Sequence, residues 1–201
     1  MSEKSYISRK EQARLTKKKI FDTTMLLIKK KGYGKITIRE ICQSAQISIG
    51  TFYIYFTSKD EILWEIYDKI DQKVKFADSV SGQPVIGLIG QDFLMYLSHM
   101  TSMFEKELLR EIYRNTLLSG ENHFLSRERP LFQSVLYRLE SLPESNRIFA
   151  AEAPETLCRR FHLFVQSYIY QWLVDDNLDP SFLTAECVQE LSRYMTLYIN
   201  E

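Results

Sequence analysis

TIREICQSAQISIGTFYIYFTSKDEIL, from Thr37 to Leu63, decides how this chain folds. Ile38, Ile41 and Cys42 fall at i, i+3 and i+4, the spacing of one helix face. Thr37 and Glu40 have the T-x-x-E spacing of a capping box, so a helix starts at Thr37. Ala45 and Ile47 bracket a turn. Ser48 is placed to cap a second, shorter helix through Thr51 and Tyr53, with Phe52 and Phe56 on one side of it. Ser58 and Glu61 repeat the capping-box spacing and predict a further helix with Lys59 and Asp60 in its first turn. Two short helices around a tight turn are the helix-turn-helix layout, whose second helix can lie in the major groove of DNA.

Before this stretch, Arg9 to Lys31 reads as one helix, with Ala13, Ile20, Phe21, Thr24, Leu27 and Ile28 at helical spacing. Residues 1–8 read as a loosely held arm, with Lys4 and Arg9 available to phosphate. Lys29, Lys30 and Lys31 suit the negative end of the helix dipole, and Gly32 suits a left-handed residue just after it. The lysine run is either this cap on a solvated face or a phosphate contact. After the stretch, the helix from Ser58 runs to about Phe76, with Ile62, Leu63, Ile66, Ile70 and Val74 inward. The small and turn-forming residues from Ala77 to Pro84 form a joint. Val85 to about Met100 is apolar nearly all round, which predicts burial on most sides. Further helices are expected over Phe104–Leu118, Pro130–Leu142, Pro154–Val174 and from Asp179-Pro180 to about Ile199, with a break at Ser119–Asn122. No strand, repeat or low-complexity segment is evident. The expected architecture is all-α with about nine helices. A three-helix helix-turn-helix domain occupies residues 1–58, and a helical domain occupies residues 59–201.

The formal charge is zero, with 26 basic and 26 acidic residues, but the charge is split. Residues 1–60 carry 13 Lys and Arg against 5 Asp and Glu, a net +8. The remainder carries 13 against 21, a net −8. A basic front on an acidic body implies that only the front meets a polyanion. Cys42, Cys158 and Cys187 are far apart, lack CxxC spacing and read as buried reduced thiols. The polar start MSEKSYISRKEQAR is no signal peptide, and no apolar run approaches the roughly 20 residues of a membrane span. A cytoplasmic protein without a membrane partner is therefore expected. His99, His123 and His162 have no metal-ligand spacing with Cys or carboxylates. There is no G-x-S-x-G, P-loop or GxGxxG and no credible Ser/His/Asp set, so neither enzyme activity nor a cofactor is expected.

Thr37-Ile-Arg-Glu-Ile-Cys, Ala45-Gln-Ile-Ser-Ile-Gly-Thr-Phe-Tyr-Ile-Tyr-Phe and Ser58-Lys-Asp-Glu-Ile-Leu together resemble the DNA-binding signature of the TetR family of bacterial transcription regulators. That signature reads roughly T-x-x-x-I-A, then A-x-V-S-x-G-T-F-Y-x-Y-F, then S-K-E-x-L. The resemblance covers about residues 9–65 without a gap; Cys42 replaces the usual Ala as another small residue. The candidate DNA contacts are Thr37, Arg39, Ser48, Ile49, Gly50, Thr51, Tyr53, Tyr55 and Lys59. The phenols of Tyr53 and Tyr55, the ammonium of Lys59 and the backbone N–H of Thr37 are candidate phosphate partners, with a core residue as the alternative for Tyr53 and a plain surface lysine for Lys59. Thr51 can reach phosphate or a base, Ile49 a thymine methyl, and Gly50 permits close approach to the DNA backbone. For Arg39, the family's use of that position implies the major groove, and a solvated surface residue is the alternative.

For the rest of the chain the resemblance implies a regulatory domain with a small-molecule pocket, and a homodimer built by the last two helices. Phe161, Val165, Tyr168 and Trp172 on one helix, and Leu191, Tyr194, Met195 and Tyr198 on the next, form apolar stripes that suit such an interface or the subunit's own core. Phe93, Tyr96, His99, Met100, Met103, Phe104, Tyr113 and Phe164 are the candidate pocket, with Asn115 and Gln166 as further polar groups, or else plain core. Their aromatic and Met content suits an apolar or aromatic effector. The expected function is a ligand-responsive homodimeric repressor on a palindromic double-stranded operator. A DNA-binding regulator or architectural protein with no small-molecule ligand is the alternative.

Overall fold

The computed structural model describes residues 8–74, 76, 83–120, 123–147 and 152–200. The arm with Lys4, most of the joint between Ala77 and Pro84, and Glu121-Asn122 lie outside the described residues, as does part of the loop before Ala153. So does the side chain of Ile70. Nine α-helices are described: α1 (Arg9–Lys31), α2 (Ile38–Ala45), α3 (Ile49–Tyr55), α4 (Lys59–Lys73), α5 (Val85–Met103), α6 (Lys106–Ser119), α7 (Pro130–Glu140), α8 (Pro154–Val174) and α9 (Val188–Met195). No strand occurs among the described residues; a single bridge pairs Arg147 with Ile199. The chain divides into two compact units, Met1–Ile66 and Tyr67–Glu201.

In the first unit, α1 starts at Ser8, whose hydroxyl accepts the Glu11 N–H at 3.2 Å. It ends at Gly32, whose N–H bonds the Ile28 carbonyl. Gly32 has φ 76° but ψ 151°, so the chain leaves α1 extended rather than left-handed, in a conformation open essentially to glycine alone. The Thr37 capping box forms in both directions. Gln46, not a glycine, takes the left-handed turn position (φ 51°, ψ 50°), and Ile47 N–H reaches the Cys42 carbonyl at 3.0 Å. Ser48 caps α3 by accepting the Thr51 N–H at 2.9 Å. At α4 only half of the expected box forms. Ser58 Oγ accepts the Glu61 N–H, but the Glu61 carboxylate turns to the Thr57 N–H and hydroxyl instead. Ile20, Ile28, Ile41, Ala45, Phe52, Phe56, Ile62, Leu63 and Ile66 form the core of this unit, so α2 and α3 are held by apolar burial from one side only.

In the second unit, α5 packs against α7 and α9, and α8 against α6, α7 and α9. Helix α5 is less enclosed than its composition predicts. Ile89, Phe93, Tyr96, Leu97 and Met100 make the buried row, while Leu94, Met95 and Met103 are exposed. Its buried face also carries a charge. Asp92 accepts from Arg138 Nε at 2.6 Å, from Arg138 Nη2 at 2.9 Å and from the Ser134 hydroxyl at 2.7 Å, tying α5 to α7. Two cations of α6 satisfy the last carbonyls of α8: Lys106 Nζ reaches Asp175 O at 2.6 Å and Arg110 Nε reaches Leu173 O at 2.7 Å. The segment opened by Asp179-Pro180 is not one α-helix. It begins as π-helical turns over Phe182–Cys187 and becomes α-helical only at Val188.

Candidate nucleic-acid interface

Phe52 and Phe56 face the core of the first unit, which turns the opposite side of α3 to solvent. On that side Ile49 is 45% exposed, Tyr53 53% and Ile54 76%, and Gly50 is exposed as well. Ile49 and Tyr53 are i, i+4 neighbours, as are Gly50 and Ile54, so the four residues form two adjoining rows on one face. Tyr53 is steadied by an edge-on contact with Phe52 at 5.6 Å. Tyr55 is half-buried. Ser48 and Thr51 are held by each other, their hydroxyls 2.8 Å apart. Arg39 is exposed on α2.

Two of the expected phosphate partners are engaged inside the chain. The Thr37 N–H and hydroxyl both donate to the Glu40 carboxylate, at 2.9 and 3.1 Å. Lys59 Nζ donates to the carbonyls of Tyr33 and Ile36, each at 3.1 Å, and sits 4.0 Å above the Tyr33 ring. The Tyr33 hydroxyl in turn bonds Asp60. These contacts fasten the turn after α1 to the start of α4, and so brace the frame that presents α3. The lysine run at the end of α1 is divided: Lys31 pairs with Glu40 at 2.8 Å, while Lys29 and Lys30 are exposed. The Lys31 ammonium, then the Thr37 hydrogen bonds, hold the Glu40 carboxyl below its ordinary range.

In the second unit the expected pocket residues separate. Phe93, Tyr96 and Met100 are buried; Phe104 and Tyr113 are half-exposed, Met103 is exposed, and Phe164 lies in the α8–α9 seam, stacked on Tyr194 at 4.8 Å. Near Tyr96 is a polar cluster that the sequence reading missed. Arg129 is buried and donates to the hydroxyls of Tyr67 and Tyr96 at 3.1 and 3.2 Å. Tyr113 is half-exposed and stacks on Phe124 at 4.5 Å, yet its hydroxyl is covered. The Tyr113 hydroxyl, His99 Nε2 and His162 Nε2 are buried without a hydrogen-bond partner among the described residues. Buried polar atoms of this kind are uncommon and point to a missing donor or acceptor. His162 packs against Phe93 and Phe132, and its Nδ1 meets the Cys158 carbonyl at 2.9 Å. Burial pulls its pKa down to about 4, so the ring is neutral near pH 7. A depression of 480 Å³ lies elsewhere, beside the π-helical turns. Its lining of Asp179, Ser181, Glu186 and Gln189 around Phe182 does not match an apolar ligand.

Of the interface stripes, Phe161, Val165, Trp172, Leu191 and Met195 are buried within the single chain and packed in its own core. Tyr168, Tyr194 and Tyr198 are half-exposed and join Phe164 and Phe182 in a ladder of ring contacts 4.8 to 5.3 Å apart. Leu163, Tyr170 and Val174, which the sequence reading did not single out, form an exposed apolar row along α8. No described helix is long and apolar enough to cross a membrane, and no described group of three or more His, Cys, Asp and Glu could hold a metal.

The family model of bacterial regulatory proteins, tetR family, matches residues 20–66. Among curated proteins, the chain is 32% identical over 78 residues to the HTH-type transcriptional repressor KstR of Mycolicibacterium smegmatis, over 37% of this chain and 38% of that protein. It is 24% identical over 132 residues to the probable HTH-type transcriptional regulator YttP of Bacillus subtilis, over 60% and 63% of the two chains. The chain thus spans less than two thirds of either relative's length. Its fold is similar to that of TylP, a TetR regulator of Streptomyces fradiae, with a TM-score of 0.57 at 18% identity over 96% of this chain and 89% of that one. It is also similar to NalD of Pseudomonas aeruginosa, the secondary repressor of the MexAB-OprM multidrug efflux pump, with a TM-score of 0.51 at 16% identity over 95% and 99%. The signature from Thr37 to Leu63 and the family match over residues 20–66 agree with the shared all-helical fold, and residues 20–66 carry the DNA-binding region of the TetR family of bacterial regulatory proteins.

Proposed function

We propose that the chain is a DNA-binding transcriptional repressor that acts as a homodimer on a palindromic operator and is released by a small, largely apolar or aromatic effector. The observation that carries the DNA-binding reading is the outer face of α3. Ile49, Gly50, Tyr53 and Ile54 are presented together on a unit whose first 60 residues carry a net +8, and none of its described residues covers them. Two such helices, one from each copy, would enter major grooves one helical turn apart, about 34–36 Å. KstR of M. smegmatis is named as a repressor, which supports the sign of the regulation here.

The dimer is supported by the row Leu163, Tyr170 and Val174 and the half-exposed ladder beside it. An apolar row with steps of seven and four residues, exposed among the described residues, fits a second copy of the same helix. The effector is supported by the partnerless Tyr113 hydroxyl and His162 Nε2 among aromatic neighbours, which a ligand bearing its own donor and acceptor would satisfy. Gel-shift titration of the full chain against the DNA upstream of its own gene tests the first claim. A sequence-preferring complex at moderate salt is expected; equal binding to unrelated duplexes would reject it.

A further inference from the structure

The outer face of α3 has an unusual chemistry for a helix that reads DNA. It carries no guanidinium, ammonium, carboxamide or carboxylate; its only polar side chain is Tyr53. Bidentate recognition of guanine needs Arg or Lys, and of adenine needs Asn or Gln. Neither is available from Ile49, Gly50, Tyr53 or Ile54. Ser48 and Thr51 can offer a base one hydroxyl proton between them and no bidentate pair, because the other proton is spent on the 2.8 Å bond that joins them and Ser48 also accepts the Thr51 N–H. The carboxamides and guanidinium nearby belong to α2 and its turn: Arg39, Gln43 and Gln46, all exposed.

What the face does offer is two branched aliphatic side chains, Ile49 and Ile54, in adjoining rows on either side of Gly50 and Tyr53. Ile54 contributes little to its own fold, being 76% exposed. The one apolar feature of the major-groove edge is the C5-methyl group of thymine. A basic unit brings this apolar face to a polyanion, and the only apolar groups it meets there are those methyls.

We infer that α3 reads its operator through thymine methyl groups, packed against Ile49 and Ile54, rather than through hydrogen bonds to purines. This rests on the proposed DNA-binding function and adds the base chemistry to it. The half-site under α3 therefore contains thymine at one or two fixed positions. Its affinity depends on the methyl at those positions and not on the hydrogen-bonding edge of the T·A pair alone.

The test uses the full chain and duplexes it selects from a random pool. Each thymine of the selected half-site is replaced in turn by deoxyuridine, which removes the methyl and leaves every hydrogen-bonding group in place. At one or two positions binding should weaken about fourfold, the worth of one buried methyl. Ile49→Ala and Ile54→Ala should each weaken binding to the thymine duplex by a similar factor and abolish the effect of uracil at one position. Both side chains are exposed, so an unchanged melting temperature separates lost contact from lost fold. Sequence-preferring binding with uracil tolerated at every position, or a selected half-site without thymine, would overturn methyl reading and leave the regulator standing. No sequence preference at all would overturn the DNA-binding function itself.

Discussion

A methyl group built on Gly50 would meet only the Ser48 hydroxyl, at an ordinary 3.7 Å, and Gly50 is not among the positive-φ glycines, Gly32 and Gly120. The fold thus gains nothing from glycine there, and glycine in a helix costs up to about 1 kcal/mol relative to alanine. Gly50→Ala should raise the melting temperature slightly or leave it unchanged. It should weaken DNA binding roughly tenfold, because a packed contact forced apart costs about 1–3 kcal/mol. Calorimetry and fluorescence anisotropy on the same variant check both. His162 makes a second prediction at this scale. Its folded pKa of about 4 lies below the ordinary 6.5, so between these values the unfolded chain binds the extra proton. Its contribution is complete above about pH 6.5 and is lost as pH falls toward 4, by up to roughly 3 kcal/mol. A melting-temperature series from pH 7 to 4.5 should fall steeply in the native protein and less so in His162→Phe. Parallel slopes would contradict this.

Among the elements, the buried Asp92–Arg138 pair between α5 and α7 carries the sharpest prediction. Removing one partner strands a charge in the core and costs about 3–5 kcal/mol, whereas replacing both by apolar residues is close to neutral. Arg138→Met should destabilise severely, and Asp92→Leu with Arg138→Met should recover most of the loss in a urea titration. This pair also marks where the sequence stopped being legible. Capping signals act within four residues, so the starts of α2, α3 and α8 could be read directly from Thr37, Ser48 and Pro154. Which side of a helix faces inward is set by partners far along the chain. The apolar run of α5 gave no sign that Asp92 within it would be buried, and nothing local named Arg138 as its partner. The same limit applies on α8. Helical spacing found Phe161, Val165 and Trp172, and could not tell that these fill the subunit's own core while Leu163, Tyr170 and Val174 stay outside. Lys59 was readable as a cation beside α3, yet its engagement with the Tyr33 and Ile36 carbonyls depends on how the turn after α1 folds back.

For the whole molecule, the net +8 of residues 1–60 against the net −8 of the remainder favours a polyanion at the front of the chain, while the proposed second copy rests on the exposed row of α8. Leu163→Glu combined with Tyr170→Glu should convert a dimer into a folded monomer of 23.8 kDa by light scattering, and DNA affinity should fall with it, since two half-sites can no longer be held together. A variant that stays dimeric would move the interface elsewhere. Contact between the outer face of α3 and DNA can be probed at Ile54 alone. Because this side chain is 76% exposed, Ile54→Glu should change stability by no more than about 0.5 kcal/mol. Anisotropy titration against a selected duplex should show binding weakened at least tenfold, because a carboxylate would face the phosphates and base edges. An affinity equal to that of the native protein would mean that the outer face of α3 does not meet DNA.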